Sequence, residues 1–199
     1  MPRKLDDKRR AELLDGVMDI IAARGFLDVQ VADMARELHC SALTLYKIAP
    51  SKDSLVLLAI GRWADTAFEI LEARVEHAAT ATDRVRTYFQ GAAERLRPIS
   101  LAFVRDVERF ESTRVAWRTN VADRFVNRLV ELVQDAQEAG EVRPLNLWFL
   151  AELLNHIGSI TRDERVLRVS GLTREQAFLE VEAIIWDGIR GGQDVSADG

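Results

Sequence analysis

Residues 31–48, VADMARELHCSALTLYKI, contain two apolar patterns that are separated by only a few residues. In the first half, apolar residues recur every three or four positions, which predicts a helix over about 31–38. His39 and Cys40 then form a very short connection. Ser41 follows, and serine often caps the N-terminus of a helix because its hydroxyl accepts a free backbone N–H. The segment therefore predicts two short helices joined by a tight turn.

Two short helices joined by about three residues have the spacing of a helix-turn-helix. In such a unit the second helix can enter the major groove of duplex DNA, while the first helix braces it. The residues that would hold the pair together are all apolar: Val31, Met34, Ala35, Leu38 and Leu45. The outward side of the second helix carries Ala42, Leu43, Tyr46 and Lys47. Helical hairpins are common in all-α proteins, so this spacing alone leaves a purely structural role open.

The composition is that of a folded, helix-rich protein. Hydrophobic residues make up 48% and charged residues 30% of the chain, which excludes a disordered chain. Gly and Pro number 11 and 4 in 199 residues, and so few turn-forming residues argue against an all-β fold. No apolar run reaches the roughly 18–20 residues of a membrane span. No signal-peptide pattern follows the basic N-terminus, so we expect a cytoplasmic protein with no membrane partner.

The sequence lacks the motifs of several enzyme classes. Cys40 is the single cysteine, which excludes an internal disulfide and a cysteine-rich zinc site. No nucleophile elbow, His-Glu-x-x-His motif, P-loop or glycine-rich dinucleotide loop is present. Carboxylates are numerous, but they lie beside arginine on charged segments, as in Glu108-Arg109. We therefore expect no enzymatic activity, no cofactor and no metal.

Charge is unevenly distributed along the chain. The net charge is −5, yet residues 1–55 hold nine basic and nine acidic residues, so the later part carries all of it. The basic residues of the first ten positions are Arg3, Lys4, Lys8, Arg9 and Arg10, against Asp6 and Asp7. A basic arm on an acidic body is typical of a protein that meets an anion at one end. An ordinary solvated terminus is equally compatible with this pattern.

The apolar periodicity predicts about nine helices and an all-α fold. Asn146 is expected to cap the eighth helix, and Thr173 with Gln176 forms a capping box for the ninth. The residues after Gly191 are expected to fray. The predicted helices cover about 6–24, 31–38, 42–48, 51–77, 82–97, 99–109, 113–139, 146–168 and 173–190.

Residues 9–55 resemble the DNA-binding domain of the TetR (tetracycline-repressor-like) family of transcriptional regulators. The matching pieces are Ala23-Arg24-Gly25-Phe26, Val31-Ala32-Asp33-Met34-Ala35, Ser41-x-x-Thr44-Leu45-Tyr46 and Pro50-Ser51-Lys52-Asp53-x-Leu55. The later part, which closes with residues 186–192, is similar to the ligand and dimer domain of the family. The resemblance implies an N-terminal three-helix DNA-binding domain over residues 1–50. A C-terminal helical domain for effector binding and dimerisation would then cover residues 51–199.

Side-chain chemistry and the resemblance together suggest seven DNA-binding residues. Tyr46 can stack and hydrogen-bond against the sugar-phosphate backbone, and Lys47 can reach a phosphate or a guanine acceptor. Leu43 could touch a thymine methyl group. Lys52, at the start of the fourth helix, combines its charge with free backbone amides that suit a phosphate. The full set is Ser41, Ala42, Leu43, Thr44, Tyr46, Lys47 and Lys52.

Several positions depart from the usual pattern of the family. The pair His39-Cys40 stands where a small Gly-Val-like pair is usual, and Leu43 stands where a small residue or proline is usual. Ala49 replaces an aromatic residue, and Gln30 replaces the usual threonine cap of the second helix, at a cost of about 1 kcal/mol. These departures leave an alternative open: a small-molecule or lipid-binding protein of the same fold that does not bind DNA.

The resemblance implies an apolar effector pocket in the C-terminal domain. The candidate lining residues are Phe89, Phe103, Trp117, Phe125, Asn155 and His156, and core packing is the alternative role for each of them. With such a pocket, the chain would be a ligand-responsive DNA-binding transcriptional regulator, a repressor released by a small apolar effector.

The resemblance also implies a homodimer formed through the last two helices. Their apolar stripes consist of Leu147, Leu150, Leu154 and Ile157 on one helix and Ala177, Phe178, Val181, Ile184 and Ile185 on the other. Periodicity alone fits an intrachain core equally well. A two-fold dimer would present two recognition helices to double-stranded DNA, which matches a palindromic operator.

Overall fold

The computed structural model describes residues 6–190, and all regular structure within that range is helical. The α-helices are α1 (Asp7–Arg24), α2 (Val31–Glu37), α3 (Ala42–Ile48), α4 (Lys52–Val75), α5 (Ala81–Leu96), α6 (Leu101–Arg109), α7 (Glu111–Trp117), α8 (Asp123–Glu138), α9 (Leu147–Ile160), α10 (Glu164–Ser170) and α11 (Arg174–Arg190). A π-helical stretch, Arg118–Ala122, joins α7 to α8 without a break. The predicted all-α fold is confirmed. The predicted contributions of Arg3, Lys4 and the residues after Gly191 lie outside the described residues.

Local capping explains where several helices begin. Asn146 accepts the backbone N–H of Phe149 at 3.0 Å and caps α9 as predicted. Thr173 and Gln176 form the predicted capping box, because each side chain accepts the backbone N–H of the other residue, at 2.9 and 3.2 Å. Gln30 precedes α2 without a side-chain cap, which agrees with its poor capping chemistry.

The single helix predicted over about 146–168 is wrong, because the chain forms two helices there. α9 ends at Ile160 and α10 begins at Glu164. Asp163 accepts the backbone N–H groups of Arg165 and Val166 at 2.8 and 3.2 Å, so it caps a new helix. Aspartate is a favoured N-cap because its carboxylate accepts backbone N–H groups that would otherwise lack a partner at the start of a helix. Asp163 therefore favours a new helix at this point over a continuation of α9.

The described chain divides into two compact units. The first consists of residues up to Thr66 together with Pro98–Val121, and the second of Ala67–Arg97 together with the residues from Ala122 onward. These units differ from the predicted domains 1–50 and 51–199, because α6 packs against α1 and adds the 98–121 segment to the N-terminal helices. The predicted division of roles between 1–50 and 51–199 stays a prediction.

The first unit has a core formed by one face of α1 and a chain of aromatic rings. The buried face of α1 consists of Leu13, Leu14, Val17, Met18, Ile21 and Ala22. Phe103 on α6 lies edge-on to Phe26 at 6.0 Å and to Trp117 at 5.5 Å between ring centroids. Trp117 in turn stacks on Trp63 at 5.5 Å. Such ring pairs add stability beyond their buried area, so α6 and α7 are integral to this unit.

The core of the second unit is built from the end of α4 and from α5, α8 and α9. Leu150 and Leu154 of α9 are buried in it, and α11 packs against it through Phe178, Val181, Ile185 and Trp186. Part of each apolar stripe that could have formed a dimer interface is therefore intrachain core. The ambiguity that the periodicity left open is resolved by tertiary packing for these residues.

Candidate functional site

The first candidate surface is the outward side of α3. Leu45 is fully buried, Val31, Met34 and Ala35 of α2 are buried as well, and α2 packs against α3. On the opposite side, Leu43 is 65% and Tyr46 47% exposed, and Lys47 is exposed beside them. A short helix held by one buried face thus presents an aliphatic, a phenolic and a cationic side chain to solvent.

The turn between α2 and α3 has a geometry that usually selects glycine. The N–H of Cys40 donates to the carbonyl of Ala35 at 2.9 Å and the N–H of His39 to that of Arg36 at 3.2 Å, which is the Schellman arrangement at a helix C-terminus. His39 occupies the left-handed position with φ of +50°. The left-handed conformation explains why a small pair is usual at these positions in the family, and His39 adopts it under strain. Desolvation raises the pKa of the neighbouring Cys40 thiol.

The hydroxyl groups of Ser41 and Thr44 are engaged with each other and with the backbone. Ser41 Oγ accepts the N–H of Thr44 at 3.2 Å and lies 2.9 Å from Thr44 Oγ1. Ala42 and Thr44 are both half-buried. The geometry gives these residues a capping role at the start of α3, and their contact with a phosphate stays a prediction.

Lys52 points toward the connection between α1 and α2. Its ammonium group donates to the carbonyl of Leu27 at 2.9 Å. The free amides at the start of α4 are partly satisfied, because Ser51 and Ser54 each accept the other's backbone N–H through their hydroxyls, at 3.0 and 3.1 Å. The predicted phosphate contact of Lys52 therefore stays a prediction, and a structural contact is present in its place.

Asp106 is a site residue that the sequence analysis missed. It lies buried on α6 and its carboxylate accepts the backbone N–H groups of Phe26 and Leu27 at 2.6 and 2.8 Å. Gly25, with φ of +79°, allows this approach, because a Cβ there would lie 2.5 Å from Asp106 Oδ2. The available signal was an acidic residue at helical spacing between the apolar residues Phe103 and Phe110.

The basic N-terminal segment is only partly described. Lys8, Arg9 and Arg10 are exposed on the first turn of α1, and Arg9 pairs with Glu12 at 3.1 Å. Their exposure is compatible with an electrostatic contact that does not depend on DNA sequence.

The second candidate site is an apolar cavity in the second unit. Its free volume is about 10 Å³, which is roughly the room that one water molecule needs. Two charged residues, Arg86 and Glu182, also line it, with Arg86 Nε at 3.7 Å from Glu182 Oε1. The guanidinium of Arg86 lies 5.3 Å from the ring centroid of Trp186. The remaining lining residues are Val85, Phe89, Leu129, Val133, Leu150, Leu154 and Ile185. In this conformation the cavity has no room for a molecule larger than water.

The structure does not bring the six predicted effector residues together. Phe89 lines the cavity. The ring of Phe125 lies edge-on to the ring of Phe89, at 5.5 Å between ring centroids. Phe103 and Trp117 belong to the aromatic core of the first unit. Asn155 and His156 are exposed on α9. Of the six, Phe89 is therefore the one that lines the cavity, and Phe125 packs against Phe89.

Exposed apolar side chains remain on α9 and α11. Trp148 is 72% and Ile184 71% exposed, and Phe149, Leu153 and Ile160 are exposed as well. These residues differ from most of the predicted stripe, since Leu150, Leu154, Phe178 and Ile185 are used by the core. Large apolar side chains that stay exposed on a folded protein can take part in an interaction surface.

Comparison with known proteins identifies the fold. No protein-family model matches the chain, and no curated protein matches it in sequence. A protein from Rhodococcus sp. assigned to the TetR family of transcriptional regulators has a TM-score of 0.68 at 21% identity, over 92% of this chain and 99% of the other. The chain has the TetR-family fold. The residues that carried the resemblance, from Ala23 to Leu55, form the first part of this fold.

Two further proteins with a similar structure were solved with ligands. A protein from Saccharomonospora viridis, described as a transcriptional regulator and solved in complex with choline, has a TM-score of 0.69 at 21% identity and covers 92% of this chain and 98% of its own. The regulator FadR from Bacillus subtilis, in complex with stearoyl-CoA, has a TM-score of 0.68 at 14% identity, over 90% and 97% of the two chains. The TetR-family fold therefore extends over nearly all of the described chain.

Two further properties concern the part of the chain from residue 6 to residue 190. None of its helices combines the length and the apolar character that a membrane crossing requires. In the same range, His, Cys, Asp and Glu side chains nowhere form a group of three or more that could hold a metal ion.

Proposed function

We propose that this protein is a dimeric, ligand-responsive DNA-binding transcriptional regulator, a repressor that a small apolar effector releases from its operator. The observation that carries the proposal is the outward side of α3, where Leu43 and Tyr46 are exposed and Leu45 is buried beneath them. A braced helix with this side outward can lie in a major groove, which is wide enough for one helix.

In this proposal the side chains of α3 contact different parts of the DNA. Tyr46 and Lys47 would reach the sugar-phosphate backbone or a guanine acceptor, and Leu43 would read a thymine methyl group. Ser41 and Thr44 would offer hydroxyl groups to a phosphate, and Ala42 would allow close approach. Lys52 would contribute at the start of α4 once its ammonium group exchanges the carbonyl of Leu27 for a phosphate oxygen.

A homodimer would place two α3 helices on one palindromic operator. The exposed residues Trp148, Phe149 and Ile184 on α9 and α11 supply an apolar surface that a second copy of the chain could cover. A two-fold pair reads two half-sites one helical turn or a multiple of it apart. Such a protein acts on DNA in the cytoplasm and needs neither enzymatic activity nor a membrane.

The apolar cavity of the second unit is the proposed effector site. Its lining favours an apolar molecule, and the Arg86–Glu182 pair would orient a polar end. Related folds solved with choline and with stearoyl-CoA support the use of this architecture for small ligands. Because the cavity is too small for such a molecule, an effector would bind a conformation with a wider cavity and shift the population toward it. A coupling free energy of about 1–3 kcal/mol is enough for a useful response.

One observation favours the alternative, a small-molecule or lipid-binding protein of this fold without DNA binding. Among the described residues of α3 and the start of α4, Lys47 and Lys52 supply the cationic groups, and Lys52 is already bound to the carbonyl of Leu27. Phosphate contacts provide most of the affinity of DNA-binding proteins. A surface with few available cations is therefore also compatible with a carrier.

Footprinting on fragments of the native genome tests the proposal. We expect protection of two half-sites related by a palindrome, with a centre-to-centre spacing near one helical turn or a multiple of it. Tyr46→Ala should abolish the footprint while the helical circular dichroism signal stays the same. Glu76→Ala, an exposed change at the end of α4, is the matched control. A wild-type protein that protects no fragment, with and without added ligands, would support the carrier alternative.

A further inference from the structure

Arg174 is a buried cation for which residues 6–190 supply no partner. It is the first residue of α11, it is only 7% exposed, and its guanidinium nitrogens Nε and Nη1 are buried with no hydrogen-bond acceptor among the described residues. A buried guanidinium normally pairs with a carboxylate, because an unpaired charge loses its hydration and gains nothing in return. This arginine therefore requires an explanation.

The surroundings of Arg174 make the charge less favourable still. Burial and the nearby positive charge of Arg162 lower the pKa of Arg174 to about 10. Arg162 lies just after α9, and its Nη1 is 3.6 Å from the position that a Cβ on Gly158 would take. The N-terminus of a helix also carries a partial positive charge from the aligned peptide dipoles. Arg174 therefore stands at a helix N-terminus in the second unit, and the positive charge of Arg162 is close enough to act on it.

The acidic residue nearest in sequence does not neutralise Arg174. Glu175 accepts two hydrogen bonds from Arg97, at 2.9 Å from Nε and 2.6 Å from Nη2. This bidentate pair lowers the pKa of Glu175 and holds its carboxylate on Arg97. In the part of the chain that the structure describes, no ion pair joins Arg174 to a carboxylate. Within residues 6–190 this negative charge is therefore lacking, and a bound anion would supply it.

We propose that Arg174 binds the carboxylate or phosphate group of a small molecule at the N-terminus of α11, and that the positive charge of Arg162 adds to the attraction. Guanidinium groups suit these oxyanions because their planar N–H forks match two oxygen atoms at once. The helix N-terminus adds backbone donors and a favourable dipole. The site belongs to the second unit whereas α3 belongs to the first, and the inference does not depend on DNA binding.

Thermal unfolding of the full chain tests the site with inorganic phosphate as the probe. Phosphate and chloride are compared at equal ionic strength and equal pH, so that only specific binding differs. At ten times its dissociation constant, phosphate should raise Tm by roughly 3–6 °C. A parallel series with acetate separates a site for carboxylates from one that needs the phosphate geometry.

Arg174→Met is the decisive variant, because it keeps the length and apolar stem of the side chain and removes the charge. In chloride it should unfold at a higher temperature than the wild type, since an uncompensated buried charge is lost. It should also lose the phosphate-dependent rise in Tm. Arg162→Met, as a second variant, should weaken the phosphate response by at least several-fold while retaining the fold.

Arg168→Met on α10 is the matched control, because Arg168 is exposed on the neighbouring helix. It should leave both the Tm in chloride and the response to phosphate unchanged. The proposal is overturned if neither phosphate nor acetate stabilises the wild type more than chloride does. It is equally overturned if Arg174→Met lowers Tm in chloride and keeps the full response, because Arg174 would then have a structural partner, such as a carboxylate of a second copy.

Discussion

The carboxylate of Asp106 on α6 accepts the backbone N–H of Phe26, which lies 80 residues earlier in the chain, at 2.6 Å. The same oxygen accepts the N–H of Leu27, and the carbonyl of Leu27 accepts the ammonium group of Lys52. The connection between α1 and α2 is therefore held from two sides, by α6 and by α4. This arrangement fixes the start of α2 and with it the brace of α3.

Removal of the Asp106 carboxylate should destabilise the first unit. Asp106→Ala leaves two backbone N–H groups without an acceptor, one of them buried, and should lower the free energy of unfolding by about 2–4 kcal/mol. Asp106→Asn keeps one acceptor oxygen and should cost roughly 1 kcal/mol. Urea denaturation followed by circular dichroism measures both changes. Arg109→Ala, an exposed change on the same helix, should have little effect, and an equal loss in that variant would contradict the assignment.

The turn residue His39 should respond to substitution according to backbone conformation alone. His39→Gly removes the strain of a side chain at positive φ, and it should raise the free energy of unfolding by about 0.5–1 kcal/mol after the larger entropy of the unfolded glycine is subtracted. His39→Val should lower it by about 1–2 kcal/mol, because a β-branched residue tolerates this conformation least. Thermal unfolding separates the three proteins, and a Val variant as stable as the Gly variant would refute this account.

On the proposed function, Leu43 reads a thymine methyl group. Replacement of one thymine by uracil in each half-site removes the methyl alone, and at the contacted position it should weaken binding about fourfold per half-site. In Leu43→Ala the same base change should have no effect, because the contact is already lost. Since Leu43 is 65% exposed in the free protein, its substitution should leave Tm unchanged. Gel-shift titrations give the affinities, and uracil effects of equal size in both proteins would exclude the contact.

Lys47 should contribute affinity without sequence preference. Lys47→Ala should weaken binding to all DNA sequences by a similar factor and reduce the slope of log K against log salt by about one. Lys47→Arg keeps the charge and should keep the slope. Filter binding or fluorescence anisotropy over a range of salt concentrations measures this. If the Ala variant loses affinity for one sequence only and keeps the slope, Lys47 contacts a base instead of a phosphate.

Glu141 links the loop after α8 to the start of α5, and it should make stability depend on pH. The N–H and hydroxyl of Thr82 donate to its carboxylate at 2.8 and 2.9 Å, and these hydrogen bonds lower the pKa of Glu141. A carboxyl with a lowered folded-state pKa stabilises the fold above its unfolded pKa, and this contribution is lost as the pH falls through the folded value. Glu141→Gln should therefore be less stable than the wild type at pH 7, and the gap should narrow in acid.

Thermal unfolding at several pH values between 7 and 3 measures the gap. Glu180→Gln on α11 is the control, because Glu180 is exposed and its substitution should produce no pH-dependent gap. A gap for Glu141→Gln that stays constant down to pH 3 would show that the ionised form has no special role.

The features that were predicted correctly from the sequence depend on residues that lie close together in the chain. The pair α2 and α3 follows from apolar spacing, a serine cap and a short connection, all of which act within about 18 residues. The capping box of Thr173 and Gln176 is equally local, and it is confirmed. Where a local signal was overlooked, as with the Asp163 cap, the prediction joined α9 and α10 into one helix.

Contacts between distant segments could not be predicted in this way. No local pattern in the sequence indicates that Asp106 binds the backbone of Phe26 or that Lys52 binds the carbonyl of Leu27. Nor does any local pattern assign Phe103 and Trp117 to a different unit from the cavity. Each of these depends on which helix faces which, and many arrangements satisfy the same periodicity.

The amino-acid sequence by itself determined the helical class, most helix ends and the outward side of α3, because hydrogen bonding and apolar spacing within a few turns decide these features. Tertiary structure alone decided which apolar residues became core, which residues line the cavity and which cation lacks a counter-charge among the described residues. Burial is a property of the packed chain, and a residue acquires it only when helices far apart in sequence come together.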